Sequence, residues 1–116
     1  YSVISSFAKL GKGISIMAGA VVNANTIIED NCVINTNCSV DHDCQIGRNV
    51  HIAPGAAISG GVVIGDGSWI GTGSSIIEGI SIGTNTFLGA GSVVVTNIPN
   101  QALAFGVPAK VIGRIE

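Results

Sequence analysis

Every sixth residue of this chain is aliphatic, without a slip, from Ile4 through Leu10, Ile16, Val22, Ile28, Ile34, Val40, Ile46, Ile52, Ile58, Ile64, Ile70, Ile76, Ile82 and Leu88 to Val94. A period of six fits neither the 3.6-residue turn of a helix nor plain strand alternation. It predicts a parallel β-helix built from stacked repeats. Two residues before the aliphatic stands a small or β-branched residue in nearly every repeat, as at Ala8, Ala20, Thr26, Cys32, Cys38, Cys44, Ala56, Ser68, Ser74, Thr86 and Ser92; the larger Ile14 and Ile80 are the exceptions. Residues two apart on a strand share a face, so each side of the helix is expected to send one large and one small side chain inward. Gly follows the aliphatic at Gly11, Gly47, Gly65, Gly71, Gly83 and Gly89, where its backbone freedom is expected to ease the corner. After Val94 the register ends, because Asn100 takes the next aliphatic slot and Pro99 and Pro108 oppose strand pairing. Residues 1–97 are therefore expected to form the repeat domain and 98–116 a C-terminal loop or cap.

Composition narrows the partners. At 116 residues the chain is long enough for one continuous core and too short for a second. Five basic against seven acidic residues, with no basic run and few aromatics, argue against nucleic acid. No apolar run approaches the roughly 20 residues of a membrane span and no leader is visible, so a cytoplasmic, soluble protein is expected. The chain opens on Tyr1 and is in register by Ile4, which suggests a piece of something longer. Charged residues make up only 10%, against about 25% in an average domain, and so slim a fold is expected to self-associate.

Cys32, Cys38 and Cys44 all fall on the small inward position and read as compact apolar fillers. Their spacing of six is unlike the paired CxxC of zinc sites, and no metal is expected.

Polar residues break the repeat most densely in Asn35-Thr36-Asn37-Cys38-Ser39-Val40-Asp41-His42-Asp43-Cys44, and the only other histidine, His51, follows nine residues after His42. A histidine with a carboxylate at hand suits general-base work, because the anion raises its basicity and orients it. Adjacent side chains on a strand face apart, so a corner must bring them together, and Asp41 and Asp43 compete for the role. The alternative is that His42 decorates an exposed corner and that His51 packs over Trp69, eighteen residues on.

Continuous hexads of this kind resemble those of the hexapeptide-repeat acyltransferases. The resemblance implies a left-handed, triangular parallel β-helix with three hexads per coil, hence about five coils; neither hand nor section follows from the period, and the usual crossover preference has the opposite hand. Within that group, Asn35-Thr36, Val40-Asp41-His42-Asp43-Cys44-Gln45-Ile46-Gly47 and His51 resemble the bacterial nucleotide-amino-sugar N-acetyltransferases and the related sialic acid O-acetyltransferases. The likeness implies that His42 is the base and Asp43 its partner, Asp standing where Glu is common. It further implies that His51 contacts acetyl-CoA, that Asn35 orients substrate near the base, and that Gly60, Thr72 and Ala90 line the coenzyme groove chiefly through backbone groups. Gly60 lies eighteen residues beyond His42 and Ala90 eighteen beyond Thr72, so these positions form ladders along the axis. Gly106-Val107-Pro108-Ala109-Lys110 resembles the closing segment of many such enzymes, where Lys110 and Arg114 would meet phosphate charge.

The expected function is acetyl transfer from acetyl-CoA, as cosubstrate and without metal, to an amine or hydroxyl of a nucleotide-linked amino sugar or sialic acid. A homotrimer with active sites between subunits, and an upstream nucleotide-sugar-binding domain missing from this chain, are implied as well. Transfer to serine or an antibiotic is the nearest alternative, although the helical extensions and large loop of those enzymes are absent. The γ-type carbonic anhydrases need three histidines per site, and this chain has two. A non-catalytic scaffold is the last alternative.

Overall fold

The computed structural model describes residues 1–115, and among them there is no helix. Each aliphatic of the sixfold register is the second residue of a two-residue strand, and the sixteen strands distribute over three faces. The first face holds β1 (Val3–Ile4), β4 (Val21–Val22), β7 (Ser39–Val40), β10 (Ala57–Ile58), β13 (Ser75–Ile76) and β16 (Val93–Val94). The second holds β2 (Lys9–Leu10), β5 (Ile27–Ile28), β8 (Gln45–Ile46), β11 (Val63–Ile64) and β14 (Ser81–Ile82). The third holds β3 (Ser15–Ile16), β6 (Val33–Ile34), β9 (His51–Ile52), β12 (Trp69–Ile70) and β15 (Phe87–Leu88), continued by β17 (Ala102–Gly106) and β18 (Ala109–Arg114). Pairing among the sixteen is parallel with a step of eighteen, so that Ser39, Ala57 and Ser75 stand in one row. The chain is a β-solenoid of about six turns, three hexads to each.

The interior follows the two-position rule. Every aliphatic from Val22 to Val94 is buried, together with the small residues two places before them. Where those small residues are polar, they reach corner carbonyls: Thr26 donates to Asp41 (2.6 Å), Ser68 to Gly83 (2.7 Å) and Thr86 to Pro99 (2.7 Å). Two of the three buried thiols do the same, Cys32 donating to the carbonyl of Gly47 and Cys44 to that of Ser59. Burial pushes the thiol of Cys38 up to about 11, so it stays protonated and inert.

Three expectations change. The first coil is not buried: Ile4 and Leu10 are about two-fifths exposed (41% and 40%), because no earlier coil among the described residues covers that end. The corners do not use the glycine that follows the aliphatic for its backbone freedom. Left-handed φ falls instead on the third residue after the aliphatic, which is Gly, Asn or Asp from Gly13 to Gly91, with φ of 56° at Asn37 and 59° at Asp43. The earlier glycine answers to crowding: a Cβ on Gly71 would stand 2.5 Å from the carbonyl oxygen of Leu88 and 2.7 Å from the nitrogen of Ala90 in the next coil. Nor does the repeat stop at Val94. It loses two residues at the following corner, so that Ile98 bridges Ile82 and Ala104 pairs with Leu88, each at a step of sixteen. Ile98, Ala102 and Ala104 are buried as earlier inward residues are. β18 then turns back antiparallel on β17. This hairpin extends the third face, and the described residues span 38 Å in their longest dimension, across a section of 23 × 22 Å.

Candidate active site

His42 is the second residue of the corner that leads from β7 on the first face to β8 on the second. Asp41, just before it, accepts the backbone N–H of His42 (2.8 Å) and the side-chain amide of Asn23, one coil earlier (3.0 Å). Those two donors, the His42 N–H first, hold the Asp41 carboxyl below its usual range. Asp43 takes the left-handed position, and its Oδ2 lies 2.9 Å from Nδ1 of His42. A carboxylate only accepts, so Nδ1 carries the proton and donates, which leaves the lone pair on Nε2. The bond to Asp43 chiefly, then the charge of Asp41, raises the imidazole above its ordinary value, and Glu78 adds to it. The two carboxylates thus divide the work: Asp43 holds the ring and Asp41 holds the backbone. Both partners of the His42–Asp43 pair are more than half exposed (62% and 59%), so the pair stands on an open edge.

Gly60 occupies the same corner position one coil on. A Cβ there would lie 2.6 Å from Cε1 and 2.7 Å from Nε2 of His42.

His51 points outward from the third face. Its ring stacks on Trp69 with centroids 4.0 Å apart and planes 22° from parallel, and Trp69 in turn stacks on Phe87 at 6.2 Å. The Nδ2 amide of Asn35 lies 3.3 Å from Nε2 of His51. An amide nitrogen donates, so Nε2 accepts and the ring is neutral; partial burial lowers its pKa, in keeping with that state. Asn35 also accepts the Thr36 N–H (2.7 Å) through Oδ1. Within one chain, then, Asn35 meets His51 rather than His42.

Thr72 and Ala90 share the corner between the third and first faces with Thr36 and Pro54. The coil-to-coil ladder uses the residue after each of them: Gly73 donates to Pro54 (3.0 Å) and Gly91 to Thr72 (2.8 Å), as Gly61 donates to His42 (3.0 Å) at the other corner. The N–H groups of Gly60, Thr72 and Ala90 therefore have no acceptor among the described residues. Gly73 and Gly91 face open space, with no atom within 4 Å of where a Cβ would stand. Lys110 is exposed on β18, opposite Phe105.

A single chain brings together His42, Asp43 and Gly60 on one edge, and Asn35 with His51 near another; Thr72 and Ala90 lie along that second edge. Face one separates the groups. Lys110 belongs to neither, lying on the cap. Sequence reading missed Asn23 and Glu78, although their spacing from Asp41 by eighteen and from His42 by thirty-six carried the signal. Grooves of about 390 Å³ beside Gln45 and Val63 and about 460 Å³ beside Trp69 and Phe87 lie outside the His42 edge. Among the described residues no cluster of three or more His, Cys, Asp or Glu could hold a metal ion, and no helix is long and apolar enough to cross a membrane.

The family model for the bacterial transferase hexapeptide (six repeats) matches residues 25–60 and 61–96. Comparison with the curated proteins gives no match. Among solved structures, the acetyltransferase domain of PglB from Neisseria gonorrhoeae FA1090 is similar at 40% identity and a TM-score of 0.95, over 96% of this chain and 54% of that one. PerB from Caulobacter crescentus, in complex with CoA and GDP-perosamine, is 43% identical with a TM-score of 0.94, over 97% of this chain and 54% of that one. The PglB domain is also known in complex with acetyl coenzyme A, at 40% identity and a TM-score of 0.93, over 96% of this chain and 54% of that one. The chain thus spans about half the length of these proteins.

Proposed function

This chain belongs to the bacterial hexapeptide-repeat transferases, and we propose that it is an acetyl-CoA-dependent N-acetyltransferase whose acceptor is the amino group of a nucleotide-linked sugar. One observation carries the reading: an imidazole fixed by Asp43 through Nδ1, with Nε2 bare on an open edge. Support for the donor comes from the coenzyme complexes of the PglB domain and PerB, and for the acceptor from the GDP-perosamine in PerB.

His42 accepts a proton through Nε2 from the acceptor nitrogen as that nitrogen bonds to the thioester carbonyl carbon. Asp43 stabilises the imidazolium that forms. As the C–S bond breaks, the electron pair leaves with sulfur, and His42 returns the proton to the thiolate. The buried thiols offer no covalent route, since burial holds them protonated. Acidic Asp41, Asp43 and Glu78 around the base favour an acceptor that arrives as an ammonium over a neutral hydroxyl; the ammonium releases one proton to solvent first, so that the nitrogen attacks as a neutral amine and His42 carries only the second proton.

Unpaired backbone N–H groups at Thr72 and Ala90, beside the open Gly73 and Gly91, suit an extended pantetheine, and His51 with Asn35 flanks that edge. Since the base is on a different edge, the assembled site draws on two copies of the chain, in accord with a homotrimer. Lys110 supplies a cation for coenzyme phosphate from the cap.

The test is thiol release from acetyl-CoA in the presence of GDP- and UDP-linked amino sugars, sialic acid, serine or chloramphenicol. Release is expected with a nucleotide amino sugar and is lost in H42A. Release with none of them overturns the assignment.

A further inference from the structure

His42 is an exposed ring with a single polar anchor. The bond to Asp43 fixes Nδ1 but leaves the ring free to swing about that contact, and a base must present Nε2 in one direction to be effective. What lies against the rest of the ring decides that direction. Cε1 and Nε2 sit over the α-carbon of Gly60, so close that a methyl group there would be 2.6 and 2.7 Å away, well inside the ordinary 3.5–4.0 Å contact. The ring has this place because Gly60 has no side chain.

The backbone does not explain that glycine. Gly60 is not in the left-handed region, unlike Gly61 beside it (φ 69°). The same slot, second after the aliphatic, recurs sixteen times from Ser6 to Thr96 and holds Lys12, Asp30, Arg48, Pro54, Asp66, Glu78 and others; Gly60 is its only glycine. It falls one coil above His42. Replacing it by alanine therefore meets no backbone strain, and the atoms that must yield are those of a mobile surface ring.

We propose that Gly60 is a positioning residue for His42: its missing side chain seats the imidazole so that Nδ1 meets Asp43 and Nε2 faces the acceptor. The coenzyme role expected for Gly60 runs through its backbone N–H, which alanine retains, whereas seating depends on the absent Cβ. The catalytic consequence rests on His42 being the base; the seating does not.

The experiment compares wild type, G60A and D43N by NMR titration of His42, with circular dichroism as the check of fold and with kcat and acetyl-CoA affinity as separate readouts. In G60A the His42 titration is expected to fall below wild type towards that of D43N, and kcat to drop at least about tenfold, within the range general-base catalysis supplies, while acetyl-CoA affinity is unchanged. A His42 titration identical to wild type in folded G60A overturns the proposal, as does weakened coenzyme binding with the titration unmoved. A shifted titration in a protein that transfers acetyl to no acceptor upholds the seating and removes the acetyltransferase reading instead.

Discussion

Asp43 holds φ at 59°, and that left-handed corner swings its carboxylate to 2.9 Å from Nδ1 of the residue before it, His42. In an extended strand the two side chains would face apart. The corner itself makes the pair, and Asp is among the few residues that take this conformation at low cost. The repeat supplies the left-handed corner, and Asp43, the one carboxylate to hold that position among the described residues, is thereby brought beside the residue that precedes it.

Asp43→Asn is expected to move the acid limb of the kcat/KM profile to lower pH and to lower its plateau. Asp43 and Asp41 raise the ring, so native His42 gives up its proton, and activity rises, at a higher pH than an unperturbed histidine. Without the acceptor the ring deprotonates earlier but is a weaker base. Superimposable profiles would separate Asp43 from the base.

Trp69, the only tryptophan in the chain, reports on His51. Because burial depresses the His51 pKa, its quenching of Trp69 fluorescence on acidification is expected below the ordinary histidine value and to vanish in H51A. The unfolded ring protonates first, so this group's contribution to stability is present above the ordinary value and is lost as pH falls through the depressed one. A fluorescence step at or above the ordinary value contradicts the neutral stack.

H42A and H51A are expected to lose activity for different reasons, the first through kcat and the second through the acetyl-CoA KM. If the assembled site takes one edge from each of two copies, unfolding and refolding the two variants together restores part of the activity that neither has alone. Recovery no greater than the sum of the separate preparations would confine both histidines to sites within one chain.

Ile52→Ala removes a fully buried side chain in the middle of the stack and is expected to cost about 2–5 kcal/mol. Leu10→Ala, at the open end with Leu10 about two-fifths exposed (40%), is expected to cost roughly 1 kcal/mol. Chemical denaturation of both variants measures the difference. Equal costs would mean that something covers the first coil in solution.

The inward rows were legible residue by residue, since a period of six and the alternation within each hexad are local properties of the chain. The corners were legible only in part. Asn and Gly announced turns, but which glycine carried positive φ and which gave way to a neighbour depends on a coil eighteen residues distant. The shortened coil after Val94 was hidden because Asn100 broke the register by position, while Ile98 kept the burial by arriving two residues early.

What the sequence alone determined was therefore the repeat, the small and large inward positions and the concentration of polar chemistry around His42. Those follow from spacing, which stacking preserves. Spacing left Asp41 and Asp43 open where the resemblance implied Asp43, and the tertiary structure puts Asp43 against the imidazole; it alone decided that Asn35 meets His51 and that Gly60 lies against the ring of His42. Each is set by side-chain direction at a corner, where one left-handed residue turns the chain and a neighbouring coil fixes what fits.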